Sequence, residues 1–306
     1  LLTAPLNPYA RAAFTFALAN GEASVEEGFF VLERGLPGGL QLRGGRFRQA
    51  FGRMNATHPH QDPFAERPGA VTALLPSEEG FLDTGVELSW RLPVAGDWAV
   101  DLKGAALQGD VFRVDPGPGV LSAAVATARE DEPRTAWLAR ATTFAPFDDR
   151  SGLELGVSAA GGTNEVATAA RTRLLGVDAK LKLWTAEDAH LVLQAEGLWQ
   201  RRDRAVWDGV AVAYRRDALE GDGQYLFADY AWQRRFDAGA IVGRVREPGA
   251  NEASTEAGVF AGLALMEETT MFRIDWRRVE PPAGDPIQTV TLRVVFSMGP
   301  HKAHSF

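Results

Sequence analysis

The chain has no cysteine, so disulfides, thiolate metal sites and cysteine nucleophiles are all excluded. No uninterrupted apolar run approaches the roughly 20 residues that a membrane-spanning helix needs. An excess of positive charge is also missing: 32 Lys and Arg stand against 40 Asp and Glu, a formal charge of −8. Binding to phosphate backbones needs a basic footprint, which sets nucleic acid aside as a partner. The sequence carries no G-x-x-x-x-G-K-[ST] loop, G-x-G-x-x-G turn, G-x-S-x-G elbow or H-E-x-x-H pair, so the expectation is a non-enzyme. It has no initiator Met and no basic-then-apolar leader. It begins at Leu1, and the expectation is that a signal peptide has already been removed.

What the chain does have is alternation. Its 306 residues are 45% hydrophobic and 24% charged, which fits neither a disordered chain nor a helical membrane protein. In residues 86–103, Val86, Leu88, Trp90 and Leu92 alternate with Glu87, Ser89 and Arg91. After a Pro-Val-Ala-Gly-Asp turn, Trp98, Val100 and Leu102 alternate with Asp101 and Lys103. This reads as two antiparallel strands, each with one apolar and one charged face. The pattern recurs: Leu153, Leu155 and Val157 flank Glu154, Leu191 to Trp199 oppose Gln194 and Glu196, and Phe272, Ile274 and Trp276 oppose Arg273, Asp275 and Arg277. About fourteen strands and no helix are predicted in this way, with a bulge at Gly44–Gly45.

One hairpin of this kind suits a soluble sandwich, with its apolar face in a core, or a membrane barrel, with that face toward lipid. The connections separate the two. The long ones, residues 53–83, 109–132 and 201–222, follow the third, fifth and ninth predicted strands, all odd-numbered. The turns after even-numbered strands are short. In an up-and-down meander this puts long loops at one end and tight turns at the other, the asymmetry of transmembrane β-barrels. Strands of ~9–11 residues fit a tilted membrane crossing. Trp90, Trp98, Trp137, Trp199, Trp232 and Trp276 lie on the apolar face or near its ends, as in an interfacial belt. The expected fold is all-β, one transmembrane antiparallel up-and-down barrel over residues 1–306, with the long connections extracellular and residues 299–306 a C-terminal tail.

The whole chain resembles, as architecture, the porin-like outer-membrane β-barrels of Gram-negative bacteria, down to a C-terminal strand and a terminal Phe306. More narrowly, GRFRQAFGRMNATHPHQDPF (residues 45–64), DTGVELSWRLP (83–93) and FSMGPHKAHSF (296–306) are similar to a group of uncharacterised outer-membrane proteins, some labelled zinc-regulated or TonB-dependent receptor. A TonB-dependent transporter has a plug domain and a 22-stranded barrel, and this chain has room for neither. The resemblance implies a further N-terminal hairpin, with residues 1–6 the remnant of a strand, giving sixteen strands in all. It also implies outer-membrane lipid, lipopolysaccharide and the barrel-assembly machinery as partners.

Two constellations are candidates for function. His58-Pro-His60 with Asp62 places two imidazoles and a carboxylate at a spacing of two, on one side of an extended segment, where they can ligate zinc. The alternative reading is a rigid loop whose histidines bond to the barrel wall. His301 and His304 form a second, more distant pair. The other constellation is the charged inner face: Arg43, Glu87, Arg91, Asp101, Lys103, Arg140, Lys180, Lys182, Glu196, Asp229, Arg244, Arg273, Asp275 and Arg277. Such groups need water or dense pairing. Basic residues outnumber acidic ones in this set, which points toward anions. Residues 53–83 are the segment expected to fold inward. The leading expectation is an outer-membrane channel for passive diffusion of small polar solutes or ions. The alternatives are a zinc-binding uptake protein using the His58/His60 loop, and a non-conducting structural or binding barrel.

Overall fold

The structure, a computed structural model, describes residues 2–19, 22–58, 61–77, 80–113, 135–165, 169–208, 213–233, 235–265 and 270–296. Fifteen strands form one antiparallel meander in sequence order: β1 Leu2–Asn7, β2 Ala10–Ala19, β3 Glu22–Leu32, β4 Leu40–Arg48, β5 Leu82–Leu92, β6 Ala99–Leu107, β7 Ala136–Pro146, β8 Gly152–Glu165, β9 Ala170–Ala186, β10 Ala189–Asp208, β11 Ala213–Trp232, β12 Phe236–Arg246, β13 Ser254–Ala264, β14 Thr270–Glu280 and β15 Ile287–Phe296. No described helix is long and apolar enough to cross a membrane.

Alternation dictates which face of each strand points where, because successive side chains project to opposite sides. The distribution is the reverse of a soluble protein's. Leu292 is 77% exposed, whereas Arg277 on the neighbouring strand is 4% exposed. Phe14, Val86, Trp137, Val177, Leu226 and Val259 are exposed in the same way around the sheet. A sandwich would bury these residues, so the apolar face is an outer, lipid-facing surface. The sheet curls around a central segment. His58 of that segment meets Glu27 on β3, and the carbonyl of Asp62 accepts from Arg273 on β14 and Arg293 on β15. Opposite ends of the meander therefore reach the same few residues. Among the described residues, no ladder joins β15 to β1.

Three expectations change. The count is fifteen rather than fourteen, because Leu2–Asn7 pairs with β2. Its six residues contain Pro5 and show no alternation, so pattern alone passes over it. The connection expected at 201–222 is strand instead: β10 and β11 pair from Ala189↔Trp232 to Asp208↔Ala213. Gly44–Gly45 makes no bulge, since the β4–β5 register runs from Leu40↔Trp90 to Arg48↔Leu82 without a shift. The tail at 299–306, with His301 and His304, lies outside the described residues, as do 114–134 of the second long connection.

The hydrophobic core lies inside the ring. Phe51, Met54, Phe64, Val71, Leu74, Leu75 and Phe81, all from the connection between β4 and β5, pack against wall residues Leu138, Leu174, Leu198, Phe227, Ile241 and Phe260. Each large apolar side chain withheld from water here stabilises the inward position by about 1.5–3 kcal/mol.

Candidate functional site

The site is built on residues 49–81. Its two ends are tied at the base. Gln49 N–H donates to the Phe81 carbonyl at 2.8 Å. Asn55 Nδ2 donates to the carbonyls of Gln49 and Phe81 at 2.8 and 3.0 Å, and Asn55 Oδ1 accepts from Phe81 N–H at 2.8 Å. One buried amide thus closes the loop, and its satisfied groups avoid the cost of orphaned polar atoms.

The loop then meets a belt of polar side chains on β7 to β11. Arg140 on β7 makes a two-pronged bond to Asp178 on β9, at 2.6 and 2.9 Å, and donates to Ser158 Oγ on β8 at 2.7 Å. Glu196 on β10 accepts from the backbone N–H groups of Arg53 and Met54 at 2.9 and 2.5 Å, and from the Tyr225 hydroxyl at 2.9 Å. Gln194 in turn donates to the Tyr225 oxygen at 2.9 Å. Gly52 N–H donates to Ser158 Oγ at 3.1 Å. Gly52 has φ +61°, and a Cβ there would lie 2.5 Å from Glu196 Oε2. Only glycine fits both the backbone and the space. Arg53 also pairs with Glu154 on β8.

Farther along, Phe64 sits edge-on to Phe227 and Phe260, at centroid separations of 5.4 and 5.8 Å. Ala65 N–H donates to Asp275 Oδ1 at 3.0 Å, and Arg277 donates to the Glu66 carbonyl at 3.1 Å. Helix α1, Gly69–Leu74, follows Pro68. Gly69 N–H donates to Glu256 Oε1 at 2.8 Å, and Gln200 donates to the Leu74 carbonyl at 2.8 Å. Gly223 on β11 makes room for this helix: a Cβ there would lie 2.8 Å from that of Ala70.

The predicted inner-face residues separate into groups. Glu196, Asp275, Arg273 and Arg277 face inward and hold the loop. Arg140 is buried against Asp178, and Arg43 bonds to buried Glu87 at 2.9 Å. Arg91 and Asp101 pair at the exposed tight-turn rim. Lys103, Lys180, Lys182 and Asp229 project inward toward the tight-turn end. Arg244 is a correction: it shares its face with exposed Val242, while Ile241 and Val245 are buried. It therefore lies on the outer surface, bonded to Asp222 at 2.7 Å. Its neighbours mislead because β12 reverses the usual pattern, with its apolar Ile241 and Val245 turned inward against the loop. Pairing also removes much of the apparent positive excess, since Arg43, Arg91, Arg140 and Arg277 each face a carboxylate.

The two expected zinc ligands among the described residues, His58 and Asp62, bond to different partners. His58 Nε2 lies 3.0 Å from Glu27 Oε2. Asp62 bonds instead to Arg67, at 2.9 Å, and to Thr57, at 3.3 Å. Burial raises the Asp62 carboxyl above the usual range, against the pull of Arg67. His60 lies outside the described residues. Among the described residues, no three His, Cys, Asp or Glu side chains are grouped to hold a metal. His58 and Asp62, each drawn to a different partner, do not fit a shared ion.

Sequence reasoning missed Asn55, Ser158, Tyr225, Gln200 and Glu256. Asn55, Ser158, Gln200 and Glu256 bond to backbone groups of other segments and Tyr225 bonds to the Glu196 carboxylate, and local pattern carries no sign of that.

No family model matches the chain. An uncharacterized protein of Aquifex aeolicus is 40% identical over 93 residues, which is 30% of this chain and 19% of that protein. The chain thus matches about a fifth of that relative's length. Among solved structures, the outer-membrane channel DcaP of Acinetobacter baumannii is similar over 97% of this chain and 83% of its own, with a TM-score of 0.56 and 9% identity. Outer-membrane expressed OmpT of Vibrio cholerae is similar over 91% and 76%, with a TM-score of 0.53 and 11% identity. A porin refined at 1.8 Å is similar over 92% and 90%, with a TM-score of 0.52 and 13% identity. The fold is that of the bacterial outer-membrane porin and channel barrels, and the outward apolar face is that of a membrane-spanning β-barrel. None of these similarities extends to zinc-regulated or TonB-dependent receptors.

Proposed function

We propose that the protein is an outer-membrane channel through which small polar solutes diffuse passively, with residues 49–81 as a fixed constriction. The observation that carries this reading is the inward loop itself. It is bonded to β3, β8, β10, β13, β14 and β15. A segment held from so many sides narrows the lumen permanently instead of swinging like a lid. We take the inward-facing Lys103, Lys180, Lys182 and Asp229 as the lining of the path that remains toward the tight-turn end. With three lysines against one aspartate there, the path has a mild preference for anions, and size sets the main limit. No chemical step is required of these residues, and the reading is of a transport protein rather than an enzyme.

The test is single-channel conductance in planar bilayers. Wild-type protein gives small, steady steps. A variant with residues 50–80 replaced by a short Gly-Ser linker gives steps several times larger. Folded protein that gives no steps in either form would show a non-conducting scaffold, the reading that the dry cluster around Phe64 and Phe81 would then support.

A further inference from the structure

Below the constriction, toward the tight turns, the inner wall gathers positive charge. Lys180, Lys182 and Trp184 follow one another on the inward face of β9, and His190 on β10 lies level with Trp184. Residues two apart on one face of a strand stand about 6.6 Å apart, so two ammonium groups there can meet one small ligand between them. Arg150 joins them from the β7–β8 turn. Its guanidinium lies over the Trp184 ring, 3.5 Å from the centroid, and Lys182 Nζ lies 5.3 Å from the same centroid. Arg150 Nη2 donates to the Glu187 carbonyl at 2.8 Å, a neutral group that leaves its charge intact. Trp184 packs against His190 with ring centroids 4.8 Å apart. Lys180, Lys182 and Arg150 all lie within electrostatic reach of that one imidazole.

The inward acids nearby are engaged elsewhere. Glu154, level with Lys180 on β8, is bonded to Arg53 of the constriction. Asp178 is held by Arg140, and Glu196 by two loop N–H groups and Tyr225. Asp229, level with Lys182 across β10, acts with Asp237 and Arg273. Asp148, Glu187 and Asp188 lie exposed in the turns. Cations gathered on a half-buried wall repel one another, and an anion that touches all of them relieves this. A phosphate group carries close to two negative charges at neutral pH and three acceptor oxygens. It can therefore meet two ammonium groups and a guanidinium fork at once, which a singly charged carboxylate does less well. We propose that Lys180, Lys182 and Arg150 bind a phosphate group, free or on a small monoester, on the tight-turn side of the constriction, which in outer-membrane barrels is periplasmic. The proposal names a solute class for the channel and rests on that reading for how the ligand arrives.

Isothermal titration calorimetry of the intact, detergent-folded protein tests the site independently of conduction. Inorganic phosphate and glycerol 3-phosphate are titrated in turn, with acetate as the singly charged control. Wild-type protein binds one phosphate per chain, and acetate at least about tenfold more weakly. Lys180→Gln/Lys182→Gln loses at least about tenfold in affinity, the effect of one charge-assisted hydrogen bond. Arg150→Gln, in an exposed turn, weakens binding severalfold and keeps the test decisive if the double variant folds poorly. Binding of the ester alone supports the site and assigns it to monoesters. Absence of binding, or equal binding of acetate, overturns the proposal. So does unchanged affinity in the folded double variant or, where that variant does not fold, in Arg150→Gln. Bilayer recordings in potassium chloride separate the site from the channel: added phosphate lowers the wild-type current and leaves that of the double variant unchanged. Phosphate binding by a protein that gives no steps overturns the channel reading alone.

Discussion

At the residue scale, the Arg140–Asp178 pair shows how the lumen tolerates charge. Both side chains are nearly excluded from solvent, and two parallel hydrogen bonds join them. Removing one partner strands the other, so Asp178→Ala is expected to lower stability by about 3–5 kcal/mol. The double change Arg140→Met/Asp178→Leu is expected to recover most of that loss. Urea unfolding from lipid vesicles measures both, and a double variant no better than the single one would refute the pairing. A second residue gives a pH effect. In the β7–β8 turn, Asp148 Oδ1 accepts from Arg150 N–H at 2.7 Å and Ser151 N–H at 2.6 Å. These bonds favour the ionised form and hold the Asp148 carboxyl below its usual range. Because the folded value is depressed, the contribution is present above the ordinary carboxylate value, near ~3.9, and is lost as pH falls through the lower folded one. NMR amide shifts of Arg150 and Ser151 should therefore move together below about pH 4. The movement should vanish in Asp148→Ala.

At the scale of elements, legibility in the sequence followed burial. Strands with lipid on one side and polar groups on the other, such as β5, β8 and β14, announce themselves through alternation. The outer halves of β10 and β11 do not. Arg201, Asp203, Arg204, Arg216 and Asp217 place charge on both faces, because beyond the membrane neither face is apolar. The backbone ladder continues there without a hydrophobic pattern to reveal it. β9 pairs with β10 only as far as Arg202, and β12 with β11 only from Asp222, so among the described residues the remainder is a two-stranded ribbon, with Asn164 donating to the Asp203 carbonyl at its β10 edge. Charged edges discourage a neighbouring chain from adding a strand. Deleting residues 203–217 and closing the gap with a two-residue turn is expected to leave the barrel folded and resistant to SDS at room temperature. Loss of that resistance would mean the ribbon supports the wall. Helix α1 was illegible for a different reason. Six residues are too few to display a 3.6-residue period, and Gly69–Leu74 owes its place to Glu256 and Gln200 together with the burial of Ala70, Val71 and Leu74.

At the scale of the whole molecule, the barrel was readable because its repeating rule is local. Which loop residue meets which wall residue is not local, so the belt around Glu196 and the separate partners of His58 and Asp62 could be seen only in three dimensions. The same contrast has a kinetic consequence. Each ladder of the meander joins strands adjacent in sequence, so the wall can zip up progressively. The loop's bonds do not: Gly69 reaches Glu256 across 187 residues, and Ala65 reaches Asp275 across 210. Contacts of such separation form late, after the intervening chain has been brought together. The seating of the constriction is thus coupled to the arrival of β13 and β14. A barrel halted before those strands dock would hold an unseated loop, wider and leakier than the finished protein.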